Sequence, residues 1–247
     1  MKPKFYQAHH AGCQEDLPFW LEIVEGKDPI LDLGCGTGRM TIPLAEAGHR
    51  VWGCDRDLAM LEIARTTLKK EDSGTRSRVR WLAADITRFR FNLPFQAALC
   101  TCNTYSTLDF NERDRLLSCL GDYLSSGGLF AFSVPNPYLL QELVEEDQPT
   151  IETIFQHPDT GEPVQVSSLI QDREEGIGWT WYYDQLQNHG EVERTTVEIV
   201  HSGSSREAYL QQLDAAGLQV SAQYGDYDFS PWDEGSPYLI VTAVKPD

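Results

Sequence analysis

Residues 30–38, Ile-Leu-Asp-Leu-Gly-Cys-Gly-Thr-Gly, read as a short buried strand running straight into a glycine-rich turn. Ile30, Leu31 and Leu33 form the apolar run, and Gly34, Gly36 and Gly38 let backbone approach a bound molecule where a Cβ would collide. The spacing G-x-G-x-G departs from the G-x-G-x-x-G dinucleotide fingerprint, because Arg39 stands where the third glycine would be. A pyrophosphate-binding turn uses that glycine for close helix–strand packing, so the spacing favours a ligand without phosphates. Arg39 to Ala47 then fits a helix and Val51 to Cys54 a second strand. Asp55 closes that strand, where a carboxylate can accept two hydrogen bonds from a ribose diol.

Working outward, four stations agree in order and spacing. Asp32-Leu-Gly-Cys-Gly-Thr-Gly38 is followed by Asp55, and then by Asp57, a helix cap with Met60 and Leu61 behind it. Ala84-Asp85-Ile86 follows the strand Val79 to Leu82, and Leu124-Ser-Ser-Gly-Gly-Leu-Phe-Ala-Phe132 leads into a fifth strand. Together they resemble the class I S-adenosylmethionine-dependent methyltransferases. The resemblance implies that Asp32, Gly34, Cys35, Gly36 and Gly38 flank the methionine part of the cofactor, and that Asp55 and Arg56 lie at its ribose. It further implies that Met60, Asp85 and Ile86 hold the adenine, with Cys102 at the cofactor's edge. Tyr6, with His9 and His10, resembles an N-terminal arm that closes over the cofactor; a frayed terminus with incidental aromatics is the alternative.

The chain has 20 lysines and arginines against 38 acids, a net charge of −18, which repels phosphate backbones. Residues 141–200 hold fourteen acids and two bases, Arg173 and Arg194, a local balance of −12. This is either a solvated, charge-rich surface or an insertion that prefers neutral or cationic acceptors. No apolar run reaches the roughly eighteen residues of a transmembrane helix. The start, Met-Lys-Pro-Lys-Phe-Tyr, lacks an apolar signal core, which places the protein in the cytoplasm. The six cysteines contain no C-x-x-C, and the lone Cys100-x-Cys102 pair makes a poor zinc site, so no metal is expected.

The apolar spacing of Leu17, Trp20, Leu21 and Val24 predicts an amphipathic helix over 14–25. Thereafter the rhythm predicts strand 29–33, helix 38–47, strand 50–54, helix 57–69, strand 78–82, strand 95–102, helix 111–124 and strand 128–134. A helix opened by Ser204 and strands 218–224 and 237–244 close the chain. This is an α/β pattern of parallel strands joined by right-handed crossovers. Between Pro135 and Gly203 the rhythm stops. Val164 to Gln171, Trp179 to Gln187 and Val192 to Val200 read as antiparallel strands, with Asn188-His-Gly190 a turn. The expected fold is a Rossmann-like class I methyltransferase sheet with a small antiparallel β lid inserted after the fifth strand. Residues 1–136 and 204–247 form the cofactor domain, and residues 137–203 form the lid and acceptor-binding subdomain.

Methyl transfer from a sulfonium is an in-line displacement, and alignment alone supplies on the order of 7–11 kcal/mol. A general base is therefore optional. Acceptor positioning falls to the end of the fourth strand, on Asn103, Tyr105 and Thr107, at the carboxyl edge where open α/β sheets bind ligands. Relatives often carry a histidine near Thr107 and an acid where Ser133 stands, so neither role is imported. Asn103 is not in an N-P-P-Y context, so methylation of a flipped base is not signalled. Tyr138, Trp179, Trp181 and Tyr183 are candidate acceptor contacts, the last three as an aromatic stripe that either roofs a cationic or planar acceptor or forms the lid's own core. The leading expectation is methylation of a small molecule at nitrogen. The competing ones are aminopropyl transfer on the same fold and a non-catalytic cofactor-binding regulator or partner subunit.

Overall fold

The computed structural model describes residues 3–10, 12, 14–144, 148–187 and 190–247; Cys13 and the Asn188-His189 turn lie outside them. In chain order the first half runs α1 (Pro3–His9), α2 (Leu17–Ile23), β1 (Ile30–Leu33), α3 (Thr41–Glu46), β2 (Val51–Asp55), α4 (Leu58–Leu68), α5 (Ser73–Arg78), β3 (Val79–Ala83) and β4 (Phe95–Cys100). A 3-10 turn at Thr104–Thr107 precedes α6 (Phe110–Tyr123), β5 (Leu124–Pro135) and α7 (Pro137–Glu142). Then come β6 (Thr150–Gln156), β7 (Pro163–Arg173), β8 (Gly176–Leu186), β9 (Val192–His201), α8 (Arg206–Ala215), β10 (Gln219–Tyr224) and β11 (Tyr238–Val244).

These elements form two units. One holds Glu15–Leu139 and Ser204–Asp247, the other Met1–Gln14 and Leu140–Gly203. The larger unit carries a seven-stranded sheet in the order β10-β11-β5-β4-β1-β2-β3. β1 to β5 are mutually parallel, and β11 and β10 add antiparallel strands beyond β5. All four residues of β1 are buried, as a central parallel strand demands. On one face, Leu116, Leu117 and Leu120 of α6 and Tyr209 and Leu213 of α8 pack on Leu31, Leu33, Phe130 and Phe132. On the other, Phe19, Trp20 and Val24 cover Ile30, Val51, Leu99 and Ala131. Each such side chain, fully withdrawn from water, contributes about 1.5–3 kcal/mol.

Local signals account for most boundaries. Asp57 caps α4 by accepting from Ala59 and Met60, and Asp109 and Glu112 form a reciprocal capping box on α6. Ser205, one residue after the expected Ser204, caps α8. The Leu124-Ser-Ser-Gly-Gly segment lies inside β5 as a bulge: Phe95 pairs with Leu124, yet Ala97 pairs with Leu129. Several elements had no sequence signal, α5 and β6 among them. α5 is six polar or small residues held by the Asp72 cap, with only Thr75 buried. β6 is exposed at six of its seven positions, so it shows no alternation.

The smaller unit is a four-stranded antiparallel sheet in the order β6-β7-β8-β9. Its core joins Val164, Val166, Tyr183 and Val197 to Phe5 of α1. A second cluster joins Leu140, Ile170 and Ile177, with Trp179 against it. By contact, α1 groups with the inserted sheet.

Candidate active site

The parallel strands all end at one edge, which collects the glycine turn after β1, Asp55, Ala84-Asp85, the residues after Cys100 and those after Pro135. The turn is tied to β2: Gly34 and Cys35 donate backbone N–H to the Cys54 carbonyl at 2.8 and 3.0 Å. Gly36 donates to Asp55 Oδ2 at 2.8 Å, and Asp57 donates to Asp55 Oδ1 at 2.8 Å. A carboxylate has about four acceptor positions, so two remain for a diol.

The three glycines differ. A Cβ on Gly34 would meet Thr104 Cγ2 at 2.5 Å, and one on Gly38 would meet the Trp81 ring at 2.8 Å. At these two positions the absent side chain makes room for packing neighbours. Gly36, at φ +52°, has no heavy atom within 4 Å of its would-be Cβ and faces open space.

Asp32, on β1 just before the turn, is 1% exposed. Its Oδ2 accepts the Thr41 hydroxyl at 2.5 Å, while Oδ1 is buried with no hydrogen-bond partner. Burial pushes the Asp32 carboxyl up to about 6, against the lowering effect of Thr41 and the Arg39 guanidinium. An orphaned buried oxygen beside an open glycine face fits a cationic tail such as the cofactor's ammonium. Cys35 is buried, and burial together with Asp32 and Asp55 holds its thiol far above the ordinary range.

On the adenine side, Asp85 is exposed and its Oδ1 accepts the Thr87 N–H and hydroxyl, each at 2.8 Å. Although desolvation opposes it, these bonds with Arg88 and Arg56 hold the carboxyl below its usual range. Met60 and Ile86 are 6% and 8% exposed, and Ile86 belongs to the core cluster with Leu33, Cys54 and Phe89, so only a small remainder of either could meet a base. Arg56 is exposed.

Beyond β4 the backbone turns through two consecutive left-handed residues, Cys102 at φ +54° and Asn103 at φ +61°. Arg39 braces this corner, with both terminal nitrogens on Asp16, at 2.6 and 2.7 Å, and one of them also on Cys102 Sγ. The Asn103 side-chain oxygen is buried without a partner. Thr107 is exposed and its hydroxyl donates to the Thr104 carbonyl at 2.8 Å. Tyr105 is fully buried, its ring stacked on Phe132 at 4.1 Å within the core.

Among the remaining candidates, Tyr138 is 43% exposed and stands beside Trp232, ring centroids 5.9 Å apart. Trp179 and Trp181 stack at 5.5 Å on the inserted sheet and are half-buried. Tyr183 is 2% exposed, in that sheet's core. Tyr6 lies on α1 with its ring 4.3 Å from His10. His9, left without a role by spacing, places Nδ1 3.0 Å from the Tyr183 hydroxyl and Nε2 3.2 Å from Glu152. Among the described residues no three His, Cys, Asp or Glu converge as metal ligands, and no helix is long and apolar enough to cross a membrane.

Comparison with known proteins agrees with this geometry. Residues 30–128 match the family described as a methyltransferase domain. A Geobacillus sp. (strain WCH70) protein, provisionally named a methyltransferase, is 25% identical over 237 residues, 90% of this chain and 86% of its own. A solved S-adenosylmethionine-dependent methyltransferase from Clostridium acetobutylicum ATCC 824 superposes with a TM-score of 0.80 at 17% identity, covering 95% of this chain and 92% of that one. The sugar N-methyltransferase KedS8 from Streptoalloteichus sp. ATCC 53650 superposes with a TM-score of 0.74 at 18% identity, covering 98% and 92%. Residues 30–128 thus match a methyltransferase domain, and the whole chain shares its fold with solved S-adenosylmethionine-dependent methyltransferases.

Proposed function

We propose that this protein transfers the methyl group of S-adenosylmethionine to nitrogen of a small, neutral or cationic acceptor. When bound, the cofactor supplies an electrophilic methyl on sulfur. Asp32 Oδ1 and the open face of Gly36 receive its amino-acid tail, Asp55 its ribose, and Asp85 with the exposed remainders of Met60 and Ile86 its adenine. Arg39, through Asp16 and Cys102, fixes the corner against which the acceptor is aligned.

The observation that carries the nitrogen reading is the chemistry of the ends of β4 and β5. Thr101, Cys102, Asn103, Thr104 and Ser133 offer hydroxyls, an amide and a thiol, but no carboxylate or imidazole. A hydroxyl acceptor needs its proton removed as it attacks, whereas a free amine brings its own lone pair and needs only orientation. The −12 balance of residues 141–200 supports a neutral or cationic molecule over nucleic acid, and KedS8 is itself described as a sugar N-methyltransferase. We assign the inserted sheet to acceptor capture and the protein to the cytoplasm in this reading.

A labelled-methyl assay offering total RNA and, separately, a pool of metabolites that includes amino sugars tests it. Label should enter an amine in the metabolite pool. Label in RNA alone, or only in an ether or ester, would overturn the proposal.

A further inference from the structure

The inserted four-stranded sheet has two faces of different character. One carries Val164, Val166, Tyr183 and Val197, which close on Phe5 of α1. The register defines the other: Ile154 lies opposite Gln165, Gln165 opposite Asp184 and Asp184 opposite Arg194, while Leu186 lies opposite Val192. On this second face Ile151, Ile154, Leu186 and Val192 are all exposed. A bulge brings the two isoleucines there together. Ile151 pairs with Ser167 but Thr153 with Val166, so Glu152 is an extra residue, and Ile151 and Ile154, three apart in sequence, come to one side. Glu152 is the only charge on β6 and lies 3.2 Å from His9 Nε2 of α1. β6 ends the sheet, so this edge lacks the free charge by which edge strands resist association.

The same face is electrically neutral. Its strand residues include four charged side chains, and they form two pairs. Arg194 Nε and Nη2 both donate to Asp184, each at 2.7 Å, with the guanidinium 4.9 Å from the centre of the Tyr182 ring. Arg173 Nε donates to Glu198 at 2.7 Å. Charges already joined in this way can be covered without leaving either one alone. The −12 balance of residues 141–200 therefore lies off this face, in a chain whose net charge is −18. Two such chains repel each other unless their contact is close to neutral. The size also suits a contact. Strands of seven to eleven residues, four abreast, present a face of roughly 33 by 19 Å, and two such faces together cover about 1,200 Å², where stable interfaces begin.

We propose that this face is where a second copy of the chain docks, sheet on sheet about a twofold axis, with Ile151, Ile154, Leu186 and Val192 at the centre of the contact. The paired charges and Tyr182 form its polar margin. Trp179 and Trp181 alternate with Tyr182 along β8, so they lie on the opposite face with α1 and stay clear of the second copy.

Sedimentation equilibrium on the full chain tests this, because it reads mass directly: 27.9 kDa for one copy against twice that for two. The wild-type chain should dimerise with a Kd in the micromolar range or tighter. Ile154→Glu and Leu186→Glu replace side chains that are 64% and 48% exposed, so the fold tolerates them, and each sets an unpaired carboxylate inside the contact. Each should weaken the dimer at least about a hundredfold. Phe110→Glu, at an exposed apolar position on α6 of the larger unit, should leave it unchanged. A wild-type chain that stays monomeric at about 100 μM overturns the proposal. So does a dimer that both face variants leave intact, or one that Phe110→Glu weakens as much as they do.

Discussion

Replacing Asp32 by asparagine keeps the shape of the side chain and removes its charge. In the wild-type fold burial holds this carboxyl at about 6, against an ordinary 3.8. A rise of that size corresponds to roughly 3 kcal/mol once the group ionises inside the fold. Because the folded value lies above the unfolded one, the contribution of Asp32 to stability is fully present below about pH 3.8 and is lost as pH rises through about 6. Asparagine has no such dependence. The difference in unfolding free energy, variant minus wild type, should therefore move by roughly 2.4 kcal/mol in favour of Asp32→Asn between pH 4 and pH 7.5. Urea unfolding across that range measures it, and any fixed change in the contact with Thr41 cancels because it does not vary with pH. Binding should run the other way: wild-type affinity for S-adenosylhomocysteine rises through pH 6 as Oδ1 ionises, while that of the variant stays low. A pH-independent difference in stability would refute the raised carboxyl, and with it the reading of Oδ1 as a cation partner.

Asp55→Ala removes the acceptor for both the Gly36 and Asp57 amides. It should cost about 1.5–3 kcal/mol of stability and at least tenfold in S-adenosylhomocysteine affinity; unchanged calorimetric affinity would sink the ribose assignment. Because Phe5 packs into the inserted sheet, that unit should be removed whole, residues 3–14 together with 140–203. The shortened chain should keep S-adenosylhomocysteine affinity within about tenfold and lose transfer to the acceptor, and retained turnover would remove the inserted sheet from acceptor capture.

Where structure is fixed locally, the residues announced it. Ile30 to Leu33 is apolar enough to be a central strand, Asp57 and Asp109 are caps with their partners two or three residues away, and Gly217 ends a helix where a glycine is expected. What sequence could not reveal was set by residues far apart along the chain. Gly34 and Gly38 look identical to Gly36 until Thr104 and Trp81 are seen against them. Tyr105 and Tyr183 read as polar aromatics near a site, and only the sheet packing shows that each is buried. β6 lacks alternation because it is an exposed edge strand.

The grouping of α1 with the inserted sheet also sets an order of assembly. Phe5 emerges from the ribosome some 160 residues before Val164 and Val166, its partners, which at typical synthesis rates is a wait of roughly 8–32 s. The larger unit waits too, since β11, which separates β5 from β10, follows β5 by roughly 100 residues. Until β11 is made the nascent chain holds β1 to β5 with one side of β5 unpaired, and at first Phe5 of α1 lacks its partners. Chaperone demand during synthesis, more than the stability of the finished fold, is the property that this arrangement of chain order sets.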